Sequence, residues 1–71
     1  MVKEGDRITI VNSVSLTLLR LNALEGRTGV IKEMYFNKDT SLKGAWVCLD
    51  GLPFLSEHEW YIPAESIFYM F

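Results

Sequence analysis

The sequence predicts an all-β fold: five short strands curled into a partly open barrel, with a long first loop and one short helical turn before the last strand. Three observations predict it. Two turn-plus-strand units occupy the first half of the chain, Gly5-Asp6 ahead of Arg7-Ile8-Thr9-Ile10-Val11 and Gly26-Arg27-Thr28-Gly29 ahead of Val30-Ile31, each a turn followed by β-branched residues. Further turn signals, Asn37-Lys38-Asp39-Thr40-Ser41, Asp50-Gly51 and Pro63, recur between short apolar runs, as they do along a meander of strands. The chain also has only 71 residues, and five strands in that length hide their edges only by curling.

The elements follow in order. Residues 1–5 form a short lead-in. Arg7 to Val11 is the first strand, with Ile8 and Ile10 on its inward face. Asn12-Ser13 interrupts it. Val14 to Leu24 alternates like a strand in its first half, while its leucines also suit one or two helical turns. Periodicity does not arbitrate in so short a run, and an extended, hairpin-like loop with apolar contacts is expected. Gly26 and Gly29 give the chain a sharp turn and let a neighbouring backbone pack close. A phosphate loop would need more glycines, a Lys-Ser or Lys-Thr pair and a helix.

The second strand runs from Thr28 to Phe36, with Val30, Met34 and Phe36 on one face and Ile31, Glu33 and Tyr35 on the other. After the polar loop 37–41, Ala45 to Leu49 is a third strand that points Val47 and Leu49 inward and Trp46 and Cys48 outward. The loop Leu52-Pro53-Phe54-Leu55-Ser56-Glu57 leads to a short strand, Glu59 to Ile62. Pro63-Ala64-Glu65-Ser66 is a helical turn, since Pro suits a first helical position, and Ile67 to Phe71 is the last strand. The core implied by this register is Ile8, Ile10, Val30, Met34, Val47, Leu49, Ile62 and Ile67.

Composition bounds the function. The chain, 49% apolar, reads as one small domain, 1–71, that buries about 60% of its unfolded surface. A single cysteine, Cys48, leaves no internal disulfide and fits a reducing setting. With no apolar run long enough for a membrane helix and no signal-peptide pattern, a soluble cytoplasmic protein is expected. The net charge is −2, and the seven cations are scattered singly among acids, a poor footprint for nucleic acid. A basic face in three dimensions would be built from Arg7, Arg27 and Lys32.

Candidate chemistry is sparse. Glu57-His58-Glu59 is the densest polar cluster, but in extended chain the two carboxylates point one way and the imidazole the other, so no metal site is expected there. Cys48 has neither a CxxC partner nor a flanking base and reads as an inert thiol. Ser13, Ser15 and Thr17 have no candidate base but the distant His58. No catalytic residue, cofactor or metal is therefore expected. More informative are Tyr35, Trp46 and Tyr61, outward on their strands and suited to an interface. Leu16, Leu18, Leu19, Leu21 and Leu24 crowd the first loop, more apolar bulk than a thin barrel houses. The surplus either meets a partner or plugs an open barrel end.

The order of elements resembles the small barrel shared by Src-homology-3-like domains and KOW modules. Gly5-Asp6-Arg7-Ile8-Thr9-Ile10-Val11 together with Gly26-Arg27-Thr28-Gly29-Val30-Ile31 is similar to the KOW pattern, although the leucine-rich segment separates the two pieces. Tyr61-Ile62-Pro63-Ala64-Glu65-Ser66-Ile67 resembles the turn that ends Src-homology-3 domains, with Pro63 at the groove proline and Ser66 where the groove tyrosine would stand. The long first loop looks more like that of accessory barrels that dock on redox enzymes. With the sparse chemistry, the expected function is that of a non-enzymatic accessory module that binds a protein partner or a second copy of itself. The surplus leucines and outward rings make its expected contact residues Leu16, Leu18, Leu19, Leu21, Tyr35, Trp46 and Tyr61, and the charge and hydropathy patterns point away from nucleic acid and membrane. The alternative that the resemblance implies is a KOW-like RNA-binding module of the translation or transcription machinery, using Arg7, Arg27 and Lys32.

Overall fold

The computed structural model describes residues 2–69. Five antiparallel strands, β1 (Arg7–Ile10), β2 (Thr28–Phe36), β3 (Leu42–Leu49), β4 (Glu59–Pro63) and β5 (Ile67–Phe68), form one sheet in the order β4-β3-β2-β1-β5. The sheet curls into the expected all-β, partly open barrel. A five-residue helix, α1 (Val14–Leu18), and a 3-10 turn at Asn22–Leu24 lie in the first loop, and a second 3-10 turn, Ala64–Ser66, joins β4 to β5. The last strand is shorter than expected, and the expected residues 70 and 71 lie outside those described.

Both glycines of Gly26-x-x-Gly29 have work that a side chain would obstruct. Gly26 sits at φ +87, where L residues are strained. A Cβ on Gly29 would lie 2.6 Å from the Cys48 carbonyl oxygen and 2.7 Å from Val47 Cγ1, so β2 and β3 approach closely there.

The core is Ile8 and Ile10 of β1, Ile31 of β2, Ala45, Val47 and Leu49 of β3, Ile62 of β4, and Leu16, Leu21 and Leu24 from the first loop. Val30, expected inside, is instead half-buried on the outward side opposite Cys48, and Ile31, opposite Val47, takes its place. The cause is a β-bulge between Ile31 and Glu33 that leaves Lys32 unpaired. One extra residue resets the alternation, so that Ile31 and Met34 both face inward. Met34 and Ile67 are only half-buried, against the edge of the core. A second shift pairs Tyr35 with Gly44 and Phe36 with Leu42, leaving Lys43 as the extra residue on β3. This strand begins at Leu42, three residues ahead of the expected start.

The first loop is not the extended hairpin its alternation suggests. Ser13, with extended backbone, caps α1 by accepting from the Leu16 amide at 3.1 Å, as an N-cap serine does. At the other end Arg20 adopts φ 59, its amide donates to the Thr17 carbonyl at 2.9 Å and the Leu21 amide to the Leu16 carbonyl at 3.1 Å. That pair of bonds is a Schellman motif, which brings the residue after the left-handed one back beside the last turn. Here it returns Leu21 to Leu16, and both are buried.

Candidate functional site

The leucine segment divides by face. Leu16 is 0% exposed, whereas Leu18 is 77% and Leu19 47% exposed. Leu16 and Leu21, expected at a contact surface, are thus core residues that plug the barrel end with Leu24. Leu18 and Leu19 remain outside because a one-and-a-half-turn helix has only one side to bury. The loop that carries them is fastened to the turn before β5: the Ser13 and Ser66 hydroxyls are 2.6 Å apart, the Ser15 hydroxyl donates to Glu65 at 2.8 Å, and the Val11 amide donates to the Ser66 carbonyl at 2.8 Å. Ser66 is wholly buried. Its place in sequence suggested a groove residue, but its side chain serves this clamp instead. The Glu65 carboxyl is held below its ordinary value by its own backbone amide and by Ser15.

The clamp leaves a groove of about 570 Å³. Ser15, Leu18 and Leu19 line one wall, Asn37, Leu42 and Lys43 of the β2–β3 hairpin another, and Tyr61, Pro63, Ala64 and Glu65 the floor and end. Tyr61 and Lys43 also belong to a second, shallower depression of about 460 Å³, completed by Tyr35 and Trp46. The register explains this second surface. Glu33, Trp46 and Tyr61 stand in one row across β2, β3 and β4, and Tyr35, Gly44 and Pro63 in the next. Tyr35, Trp46 and Tyr61 therefore share the outward face, as alternation predicts, with Tyr35 37% and Trp46 36% exposed. Gly44 makes the arrangement possible, because a Cβ there would meet the Tyr61 hydroxyl at 2.3 Å. The Tyr35 and Tyr61 rings lie 6.0 Å apart at 44°.

The polar tips of these rings are already engaged. Tyr35 donates to Glu33, Trp46 Nε1 donates to Glu59 at 2.5 Å, and Tyr61 donates to the Lys43 carbonyl at 3.3 Å. The hydrogen bond to Glu33 holds the Tyr35 phenol above its ordinary pKa. Glu33 appears in no candidate chemistry read from the sequence, and Glu59 only in the Glu57-His58-Glu59 cluster, since only strand pairing brings the two beside the rings.

The basic residues are placed differently. Arg7 donates to both carboxylate oxygens of Asp50, at 3.0 and 3.2 Å, and Thr28 donates to one of them at 2.8 Å. Arg27 donates to the Asp50 carbonyl at 2.9 Å and to the Leu52 carbonyl. These bonds, Arg7 first and Thr28 second, hold the Asp50 carboxyl below its ordinary value. Arg7 and Arg27 therefore converge, but on the loop after β3, while Lys32 stands at the bulge. His58 meets the Gly51 carbonyl at 3.2 Å, whereas Glu59 turns to Trp46. Among the described residues no three His, Cys, Asp or Glu side chains are grouped to hold a metal ion. No helix among them is long and apolar enough to cross a membrane.

Comparison of the chain with protein-family models, with curated proteins and with solved structures finds no match.

Proposed function

We propose that this chain is an accessory protein-binding module, with no catalytic step of its own, whose groove takes an extended apolar segment of a different protein. The observation that carries this reading is the exposure of Leu18 and Leu19 on a loop that is otherwise anchored in the core. A loop fixed by buried Leu16 and Leu21 and by the Ser13–Ser66 contact presents its two outer leucines in one arrangement, which lowers the ordering cost of binding. The opposite wall offers Leu42 and the floor Tyr61, and Ser15, Asn37 and Glu65 add polar groups to the lining, a mix of apolar and polar surface like that of many interfaces. A concave groove is not complementary to itself, so a two-fold contact with a second copy is disfavoured and a different chain is the natural occupant.

The test is a photo-crosslinking probe at Asn37 in the native cell, read against the double change Leu18→Ser and Leu19→Ser. Both leucines are exposed, so the variant should melt within a few degrees of the parent. One recurring protein adduct that the double change abolishes, from a chain that sediments as a monomer, supports the reading. Micromolar, salt-sensitive RNA binding that falls on neutralising Arg7, Arg27 or Lys32 overturns it in favour of a nucleic-acid module.

A further inference from the structure

Three large rings on the outer face of a small sheet need a reason. Tyr35, Trp46 and Tyr61 have their hydroxyl and indole donors committed within the chain, so what they offer to a visitor is their π faces. Such faces attract either apolar groups or cations. The neighbours decide between the two. Glu33 stands beside Trp46 in the cross-strand row, and Glu59 accepts from its indole. Each carboxylate keeps further acceptor positions beyond the one it uses, and among the described residues neither is in an ion pair, the pairs present being Lys3–Asp6 and Arg7–Asp50. Tyr35, Lys43, Trp46 and Tyr61 line the depression itself, and Glu33 and Glu59 border it through their hydrogen bonds to Tyr35 and Trp46, so two carboxylates at the border stand against the one lysine of the lining. The depression is shallow, a part of the sheet surface and not a closed cage. A flat guanidinium stacks on such a surface and still reaches a carboxylate edge-on, which a compact ammonium does less well.

We propose that the face formed by Tyr35, Trp46 and Tyr61, bordered by Glu33 and Glu59, receives an arginine side chain of the protein segment that occupies the adjoining groove. This rests on the protein-binding reading above and adds the partner's chemistry to it: apolar residues for Leu18, Leu19 and Leu42, and an arginine a few residues along for the aromatic face. Tyr61 belongs to both depressions, so one extended segment spans them. Lys43, the extra residue of the β3 irregularity, lies on the wall shared by both and opposes the incoming cation, so its charge tempers the affinity.

The experiment is an NMR titration of the full, isotope-labelled chain with the capped tripeptide acetyl-Gly-Arg-Gly-amide and with its citrulline twin, which has the same shape without the charge. The chain has two tryptophans. The Trp46 indole signal should move with the arginine peptide and stay in place with the citrulline one. The Trp60 indole, which donates to the Glu57 carbonyl at 3.0 Å, should not respond to either. Glu59→Gln should weaken binding about two- to fivefold, the range of an exposed ion pair, and Trp46→Leu by a similar factor of about two to five. Lys43→Gln should tighten it about twofold, as the loss of a like charge at the surface does.

Equal responses to arginine and citrulline, or an unchanged affinity in both Glu59→Gln and Lys43→Gln, overturn the proposal. A lysine twin that binds as tightly overturns the assignment to arginine. Leu18→Ser with Leu19→Ser leaves this small peptide's binding intact while abolishing the crosslinked adduct. The arginine site and the groove therefore fail separately.

Discussion

Leu16 and Leu18 are two residues apart on one five-residue helix, and their truncation should give opposite results. Leu16 is fully buried and Leu18 is 77% exposed. Leu16→Ala removes three carbons from a packed site whose neighbours include Leu21 and Leu24, a change that costs about 2.7–5 kcal/mol in comparable cores. A melting entropy of about 2.1 cal/mol/K per residue over 71 residues is about 0.15 kcal/mol/K. A loss of about 3 kcal/mol therefore lowers the melting midpoint by about 20 °C. Leu18→Ala exposes no new core and places the best helix former in α1, so its effect should stay within about 0.5 kcal/mol, or about 3 °C. The assay is thermal unfolding followed by tryptophan fluorescence, with urea midpoints as a check. Equal shifts for the two variants would refute the division of the leucine loop into a plug and an exposed face, and the docking groove would lose its basis.

Other expectations follow from the same geometry. Arg20→Gly should stabilise the chain by about 1 kcal/mol, because Arg20 occupies the left-handed position of the Schellman motif, where a side chain is strained; urea denaturation reads the gain. Gly29→Ala should destabilise by about 1–3 kcal/mol, since its Cβ meets the Cys48 backbone at 2.6 Å, and circular dichroism melting detects the loss. The Asp50 carboxyl is depressed in the folded chain by Arg7 and Thr28. Its contribution is thus complete above the unfolded carboxyl's pKa, and is lost as pH falls below about 4 and through the lower folded value. Asp50→Asn should be less stable than the parent at pH 7, and the difference should shrink in acid-unfolding curves as pH drops toward 2.

The strands were legible where the alternation was unbroken. β2 begins and ends where its turn glycine and polar loop say, and the outward placement of Trp46 follows from Val47 and Leu49 facing in. The inward residues of β2 were not legible, because the bulge at Lys32 shifts the parity between Ile31 and Met34 and nothing in Val-Ile-Lys-Glu-Met marks the extra residue. β3 reaches back to Leu42 through Lys43-Gly44, residues that are poor strand formers taken alone; Gly44 is held there by pairing with Tyr35 and Pro63 and Leu42 by pairing with Phe36, with Lys43 the extra residue between them. In the leucine loop, Ser13 three residues ahead of Leu16 is the cap signal that favours a helix over a strand. The site was half legible: the outward side of each ring follows from alternation within its own strand, whereas Glu33 and Glu59 join the rings only through register between strands.

The bulge at Lys32 also bears on how this chain behaves in a crowd. Past Ile31, the β1 side of β2 has no strand partner among the described residues, which leaves about five residues of open backbone beside exposed Phe36. An edge of that kind, if straight, is a template on which other chains aggregate. The bulge makes this edge irregular, and the residue it adds is an exposed lysine, a side chain that commonly guards open strand edges. Removing that one residue would restore a regular alternation, with Ile31 and Met34 still inward, so the native packing could survive the deletion. What would be lost is protection: the same barrel would carry a flat, sticky border, and its solubility would fall without any loss of fold.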